Sequence, residues 1–414
     1  MKTSFSLSKD KIKILLLEGI HPHASEIFKE NGYSNIESIS TTLDFNSLVA
    51  KIKDVFILGI RSRTQITTKV IEKASKLIVI GCFCIGTNQV ALEYAAYRGI
   101  PVFNAPHSNT RSVAELVIGL IIMLFRDIFP KSMAAHRTEW KKSAKNSFEV
   151  RGKTIGIIGY GHIGSQVSIL AESLGMQVIY YDIKSKLPLG NAKPVNSLET
   201  LLQRADIVTL HVPEDETTFQ MINSKTLTSM KKSAYLVNAS RGKVVEVNAL
   251  AHALQSGQLR GAAVDVFPRE PKNNHEKFTS PLVGLENVIL TPHIGGSTLE
   301  AQENIGAEVA SKLIYFSDRG STESAVNFPM VNLRPNENAH RILHTHENRP
   351  GMLSAINKQV ASKGINVLGQ YLETNLHIGY VVLDIAKEVS RETLKLLRED
   401  LNNIKGTIRT RVLY

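Results

Sequence analysis

Thr154-Ile-Gly-Ile-Ile-Gly159-Tyr-Gly161-His-Ile-Gly164 is the stretch that decides the fold of this chain. An apolar strand, residues 155–158, runs straight into Gly159-Tyr160-Gly161-His162-Ile163-Gly164, and a helical pattern follows from Ser165 to about Leu174. A second apolar run, 176–181, ends in Asp182. Strand, glycine turn, helix, strand and acid in that order make a dinucleotide-binding βαβ unit. Gly159 lets the strand turn tightly, Gly161 lets the backbone approach a pyrophosphate, and Gly164 lets the helix pack close to the sheet. The helix N-terminus offers free N–H groups and partial positive charge to phosphates. The Asp182 carboxylate can accept both ribose hydroxyls and repels a 2′-phosphate, so the expected cofactor is NAD rather than NADP.

The same alternation of strand and helix spreads outward on both sides of this unit. Strand-like runs at 12–17, 55–58, 77–80 and 102–103, separated by helical patterns such as 24–30 and 66–74, imply a parallel sheet in the first hundred residues. Beyond the glycine motif, further strands are expected at 207–210, 234–237, 262–266 and 288–290. A helical segment, 299–316, leads into a polar stretch, 317–338, whose Gly320, Pro329 and Pro335 read as a linker. The remainder is patterned differently: strand 341–345, helix 351–362, strands 366–374 and 379–385, helix 390–402, strand 407–413. That βαββαβ order is a ferredoxin-like unit. It holds no complete acid–base constellation, which suits a regulatory or oligomerising role.

Bulk properties exclude several classes. A chain of 414 residues suits two or three domains. Its longest apolar run, 116–125, is too short to span a bilayer, and no signal-peptide core precedes Glu18. Net charge is +11, yet Lys and Arg are scattered without runs or aromatic interleaving, so no nucleic-acid partner is expected and attraction of small anions is the simpler account. The two cysteines, Cys82 and Cys84, sit in one strand end without metal-spaced partners. A reduced thiol pair, no metal and a cytoplasmic location are expected.

Three strand ends carry the candidate chemistry: Asn238-Ala-Ser-Arg241-Gly242, Phe267-Pro-Arg-Glu270-Pro271 and Thr291-Pro-His293-Ile-Gly-Gly296. Oxidising a secondary alcohol needs a base for the hydroxyl proton and a cation for the substrate carboxylate and developing carbonyl. His293 suits the base. Arg241 suits the anion clamp, because a guanidinium meets a carboxylate with two parallel hydrogen bonds. Glu270 suits an orienting partner that favours the protonated imidazole.

With these residues in place the chain resembles the D-isomer-specific 2-hydroxyacid dehydrogenases. The resemblance covers nearly the whole length and rests on Arg61-Ser-Arg-Thr64, on 80–89, 103–106, 108–119, 170–176 and 238–242, on Thr291-Pro-His-Ile-Gly-Gly-Ser-Thr298 and on His346-Glu-Asn-Arg-Pro-Gly351. It implies Arg241, Glu270 and His293 as the catalytic set. It implies substrate contacts from the Ile85 and Gly86 N–H groups and from Arg61, Ser62, Asn109 and Gln302. On the cofactor side it implies Gly159, Gly161, His162, Ile163, Gly164, Asp182, Ala239, Ser240, Arg241, Asp265, His293 and Gly296, with Asp265 reaching the nicotinamide carboxamide. The implied fold is α/β: two doubly wound parallel-sheet, Rossmann-like domains plus a C-terminal ferredoxin-like ACT domain. Substrate binding is expected at 1–106 with 297–336, NAD binding at 107–296 and regulation at 337–414. Within the family the resemblance points to oxidation of 3-phosphoglycerate to 3-phosphohydroxypyruvate, the entry to L-serine, with L-serine as effector at His346, Asn348 and Asn366 and a homotetramer as the assembly. Ser40 stands where the family pattern has a lysine, leaving Arg61, Arg63 and Lys142 as phosphate contacts. Another D-2-hydroxyacid dehydrogenase, acting on glyoxylate, lactate or formate, and a non-catalytic NAD-sensing corepressor are the alternatives, with 2-oxoglutarate reduction left open as an additional activity.

Overall fold

The computed structural model describes residues 7–271, 275–336 and 338–413. The chain ends and the expected boundary at 337 lie outside them. Two compact units form: Met1–Ser108 with Gln302–Tyr414, and Asn109–Ala301.

The first unit contains a parallel sheet of β1 (Ile14–Leu16), β2 (Ile36–Ser38), β3 (Ile57–Ile60), β4 (Val79–Cys82) and β5 (Val102–Asn104), in the order β2-β1-β3-β4-β5. Ile14 and Leu16 enter one apolar cluster and Leu15 and Leu17 the other. Burial on both faces explains why these strands read as unbroken apolar runs. The helix Leu299–Arg319 lays Ile305, Val309 and Leu313 into the first cluster. Edge strand β2 escaped the sequence reading because Ile36-Glu37-Ser38 is half-exposed and carries one apolar residue.

The second unit contains β6 (Thr154–Ile158), β7 (Gln177–Tyr181), β8 (Lys193–Pro194), β9 (Ile207–Leu210), β10 (Ala234–Asn238), β11 (Leu259–Val264) and β12 (Val288–Leu290), all parallel, in the order β12-β11-β10-β9-β6-β7-β8. The chain leaves β6 towards β7 and β8, then returns to the other side of β6 with β9. Strand order therefore reverses at the carboxyl ends of β6 and β9, the place where open α/β sheets bind ligands.

The first unit also contains an antiparallel sheet of β13 (Ala339–Glu347), β14 (Val367–Thr374), β15 (Ile378–Ala386) and β16 (Thr407–Leu413), ordered β14-β15-β13-β16. The helices Met352–Ser362 and Arg391–Asn403 close its core with Ile356, Val360, Leu394 and Leu397. This is the expected ferredoxin-like arrangement. Arg341 on β13 and Asp384 on β15 form a buried bidentate pair, 2.7 and 2.8 Å. His344 on β13 is fully buried, its Nδ1 3.0 Å from the Thr410 hydroxyl, and burial, then the neighbouring His346, holds its pKa down at about 3.

The stretch read as a linker is packed. Phe328, Val331 and Leu333 join Ala96 of the first sheet's helices and Leu343, Tyr380 and Leu413 of the third sheet in one apolar cluster. Asn327 accepts the Val102 N–H and donates to the Leu92 and Ile100 carbonyls. Arg409 on β16 donates to the Leu77 carbonyl at 2.7 Å. Proline and glycine content signals irregular backbone, which is a different property from mobility. No helix among the described residues is long and apolar enough to cross a membrane.

Candidate active site

At the carboxyl end of β6, Gly159 turns at φ +89, its N–H bonded to the Tyr181 carbonyl. A side chain there would meet the His211 carbonyl at 2.5 Å, and one at Gly164 would collide with the Gly159 carbonyl. Gly161 caps the helix His162–Ser173 and has open space above its Cα. The first turn's N–H groups therefore open onto room for a pyrophosphate. Asp182 accepts the Tyr160 N–H (2.8 Å) and the Lys184 N–H (2.9 Å), so its carboxylate fixes the glycine loop. Each oxygen keeps a further lone pair for a hydroxyl. These residues fit the adenosine half of a dinucleotide.

Three neighbouring strand ends of the same sheet assemble the charged set. His293 follows β12 with φ +55, its N–H bonded to the Thr291 carbonyl. Its Nδ1 lies 2.9 Å from Glu270 Oε2, and Glu270 Oε1 accepts the Phe267 N–H at 3.1 Å. The hydrogen bond and charge of Glu270 raise the His293 pKa against the opposing effect of burial. Burial pushes the Glu270 carboxyl up, but His293, the Phe267 N–H and Arg241 together hold it below its ordinary value. Arg241 acts on both charges and donates to the Ser240 carbonyl at 2.7 Å. With Nδ1 committed to Glu270, Nε2 is the nitrogen left for a substrate. Asp265, buried at the end of β11, accepts the Thr291 hydroxyl (2.6 Å) and the Ile294 and Gly295 N–H groups (both 2.9 Å). It ties down the loop that carries His293, a job the sequence did not disclose. Ser240 bonds back to Asn238, Ala239 lies half-buried beside it, and the buried Asn109 amide packs on Gly296.

The first unit positions its candidates on two loops. Arg61 and Ser62 follow β3, and Ile85 and Gly86 follow β4. Among the described residues neither the Ile85 nor the Gly86 N–H has an acceptor. Gln302 is half-buried in the first turn of its helix. Cys82 is buried and Cys84 partly so; neither is in a disulfide, and burial, with Cys84 and Glu18 nearby, pushes the Cys82 pKa up.

The expected effector residues separate. His346 bonds its own chain through Nδ1 to the Glu347 carbonyl and keeps a buried Nε2 without a partner. Asn348, nearby, donates to the Asn375 carbonyl. Asn366 is exposed at the far end of the sheet: His346 pairs with Gly379, whereas Val367 pairs with Ile385. Six residues along β15 are about 20 Å, so one chain brings His346 and Asn348 together but not Asn366.

The family model for the D-isomer specific 2-hydroxyacid dehydrogenase NAD binding domain matches residues 118–295, and that for the AHAS small subunit-like ACT domain matches 342–409. D-3-phosphoglycerate dehydrogenase of Escherichia coli K12 is 56% identical over 99% of this chain and 99% of its own length. The chain belongs to the D-isomer-specific 2-hydroxyacid dehydrogenases. The Dictyostelium discoideum protein of the same name is 49% identical over the full length of both. A solved D-lactate dehydrogenase of Aquifex aeolicus, complexed with NAD and lactic acid, is 26% identical, with a TM-score of 0.65 over 77% of this chain and 100% of that one. This dehydrogenase is accordingly an NAD-dependent oxidoreductase with a C-terminal ACT domain. The non-catalytic corepressor alternative falls away.

Proposed function

We propose that this dehydrogenase oxidises 3-phospho-D-glycerate to 3-phosphohydroxypyruvate at the entry to L-serine synthesis, under feedback inhibition by L-serine. The observation that carries the chemistry is the His293–Glu270 pair at 2.9 Å with Arg241 beside it. His293 Nε2 takes the C2 hydroxyl proton. By the family resemblance, the second unit would contribute Arg241 as the carboxylate clamp and Asn109 as a further contact, and the first unit the Ile85 and Gly86 N–H groups, Arg61, Ser62 and Gln302. Bound NAD would supply the acceptor for a hydride, the C2 hydrogen together with both electrons of its bond. Gly159 to Gly164, Asp182, Ala239, Ser240, Asp265 and Gly296 hold it. Full-length identity to curated enzymes of that name supports the phosphorylated substrate. In this reading the substrate-binding domain is 1–106 with 297–336, the NAD domain 107–296 and the ACT domain 337–414, in a cytoplasmic homotetramer.

The serine site draws on the unpartnered Nε2 of His346 and on Asn348, with Asn366 supplied by a second copy of the chain. Exposed Leu368, Tyr371 and Leu372 on edge strand β14, and exposed Trp140 and Met133 in the second unit, are apolar surface suited to such copies. The test is a panel of D-2-hydroxy acids with NAD, followed by absorbance of the reduced cofactor, with and without L-serine. Turnover restricted to 3-phosphoglycerate supports the reading; preference for lactate, glyoxylate or formate overturns the substrate. An Arg61→Ala variant should raise KM for 3-phosphoglycerate by about 10-fold or more through loss of a charge-assisted bond, with little change for an unphosphorylated acid. Wild type insensitive to millimolar serine, or Asn348→Ala as sensitive as wild type, overturns the effector site.

A further inference from the structure

Three buried polar side chains lie beneath the two candidate substrate loops of the first unit, and none of them belongs to the site described so far. Glu18, 9% exposed, stands just after β1 with φ +66. Its Oε1 accepts the N–H groups of Arg61 (3.1 Å) and Thr64 (2.9 Å), and its Oε2 that of Arg63 (3.0 Å). Gln89, 7% exposed, donates through Nε2 to the Arg61 carbonyl (2.7 Å) and the Gly86 carbonyl (3.2 Å). Asn104, 8% exposed, donates to the Ile85 carbonyl at 2.6 Å, and the next residue's N–H, that of Ala105, bonds the Cys84 carbonyl at 3.1 Å.

A trans peptide unit is planar, and its C=O and N–H point in opposite directions. Holding the Cys84 carbonyl therefore aims the Ile85 N–H the other way, and holding the Ile85 carbonyl does the same for Gly86. These are the two N–H groups left without acceptors. On the neighbouring loop the arrangement is inverted. Glu18 consumes the N–H groups of 61, 63 and 64, so that loop offers side chains rather than backbone. Gln89 joins the two loops by bonding one carbonyl from each.

We propose that Glu18, Gln89 and Asn104 are positioning residues for substrate: a buried brace that points two N–H donors at a carboxylate and fixes the Arg61–Arg63 loop in register with them. The proposal rests on the reading of 85–86 as a carboxylate site.

The test uses the full-length enzyme with Gln89→Met and Asn104→Leu, which keep size and lose the donors, and Glu18→Gln, which keeps one acceptor oxygen. KM and kcat are measured separately for 3-phosphoglycerate and for NAD, with thermal melting as the check on folding. Misplacement of a binding group by about 1 Å can cost about 10²-fold, so KM for the acid should rise about 10- to 100-fold in the Met and Leu variants. Glu18→Gln should be milder, and kcat and KM for NAD should stay within about two-fold. Should Asn104→Leu fail to fold, Gln89→Met alone reads the effect. A folded variant with unchanged KM for the acid overturns the brace. So does an equal loss in acid KM, NAD KM and melting temperature, which marks ordinary core residues. If the wild type turns over a different 2-hydroxy acid, the substrate reading fails and the brace is judged on that acid. If it turns over none, both readings fall.

Discussion

His293 sits in the left-handed region at φ +55, where a non-glycine backbone costs of order 1–3 kcal/mol unless its surroundings impose it. Here Asp265 binds the next two N–H groups and Glu270 binds the ring, so backbone and imidazole are both held. His293→Asn should cost about 10²–10⁴-fold in turnover while titrations with NAD stay near wild type; near-normal turnover removes His293 from the mechanism. In the proposed reaction the neutral imidazole is the base, and Glu270 raises its pKa, so activity should be lost as pH falls through that raised value. Glu270→Gln lowers it, and the acid limb of the pH–rate profile should move to lower pH. An unmoved limb rejects the pairing. Asp182→Ala removes the carboxylate that accepts the Tyr160 N–H and that the proposed cofactor site assigns to a ribose. NAD affinity should weaken and discrimination against NADP should relax, read as Kd for each; two unchanged constants place Asp182 outside the site. The glycine motif and the Arg241, Glu270 and His293 set were legible because each residue's chemistry is visible at a strand end. Glu18, Gln89 and Asn104 were not, because their partners are backbone groups of distant loops, and a backbone group leaves no mark in sequence.

Among the elements, strands buried on both faces announced themselves, and the third sheet's strands were placed to within two residues. The misses have two causes. β2 and β8 are short, exposed edges with little apolar content. β11 begins at Leu259 rather than 262, because it follows a Gly257 turn directly and enters the sheet through an irregular register opposite Ala234. Within the third sheet, Asp384→Ala would leave the Arg341 guanidinium buried and unpaired. Such losses cost about 3–5 kcal/mol, to be read from denaturant unfolding; a change under about 1 kcal/mol would mean that water replaces the carboxylate. His344 titrates near 6.5 when unfolded and about 3 when folded. The unfolded state therefore binds the proton first, and stability present at neutral pH is lost as pH falls from 6.5 towards 3. The slope is about 1.4 kcal/mol per pH unit. A His344→Gln variant should show a flatter dependence between pH 7 and pH 5, and an identical slope would exclude this residue.

The first unit is held together where apolar surface is shared. The third sheet and the 320–336 segment share a cluster with Ala96, and Arg409 bonds the Leu77 carbonyl. A chain ending near residue 336 should therefore melt at lower temperature and associate more readily than the full length, measured by calorimetry and light scattering. An unchanged melting temperature would show that the cluster adds nothing to the first sheet. Composition could not reveal this, since a polar segment broken by Pro and Gly looks the same whether it dangles or packs.

The buried cluster formed by Phe328, Val331 and Leu333 also bears on how such a chain could have been put together. A sensor acquired by gene fusion works at once only if the join is indifferent to what lies on either side. Here the join is itself core. Recombination between relatives that crosses over after Arg319, at the end of the long helix, would hand over the segment and its sheet as one inherited block, with Ala96 and the backbone partners of Asn327 and Arg409 left for the recipient to supply. A crossover near 337 would part residues that must match, so descendants of this lineage should exchange the ACT domain together with the seventeen or so residues ahead of it.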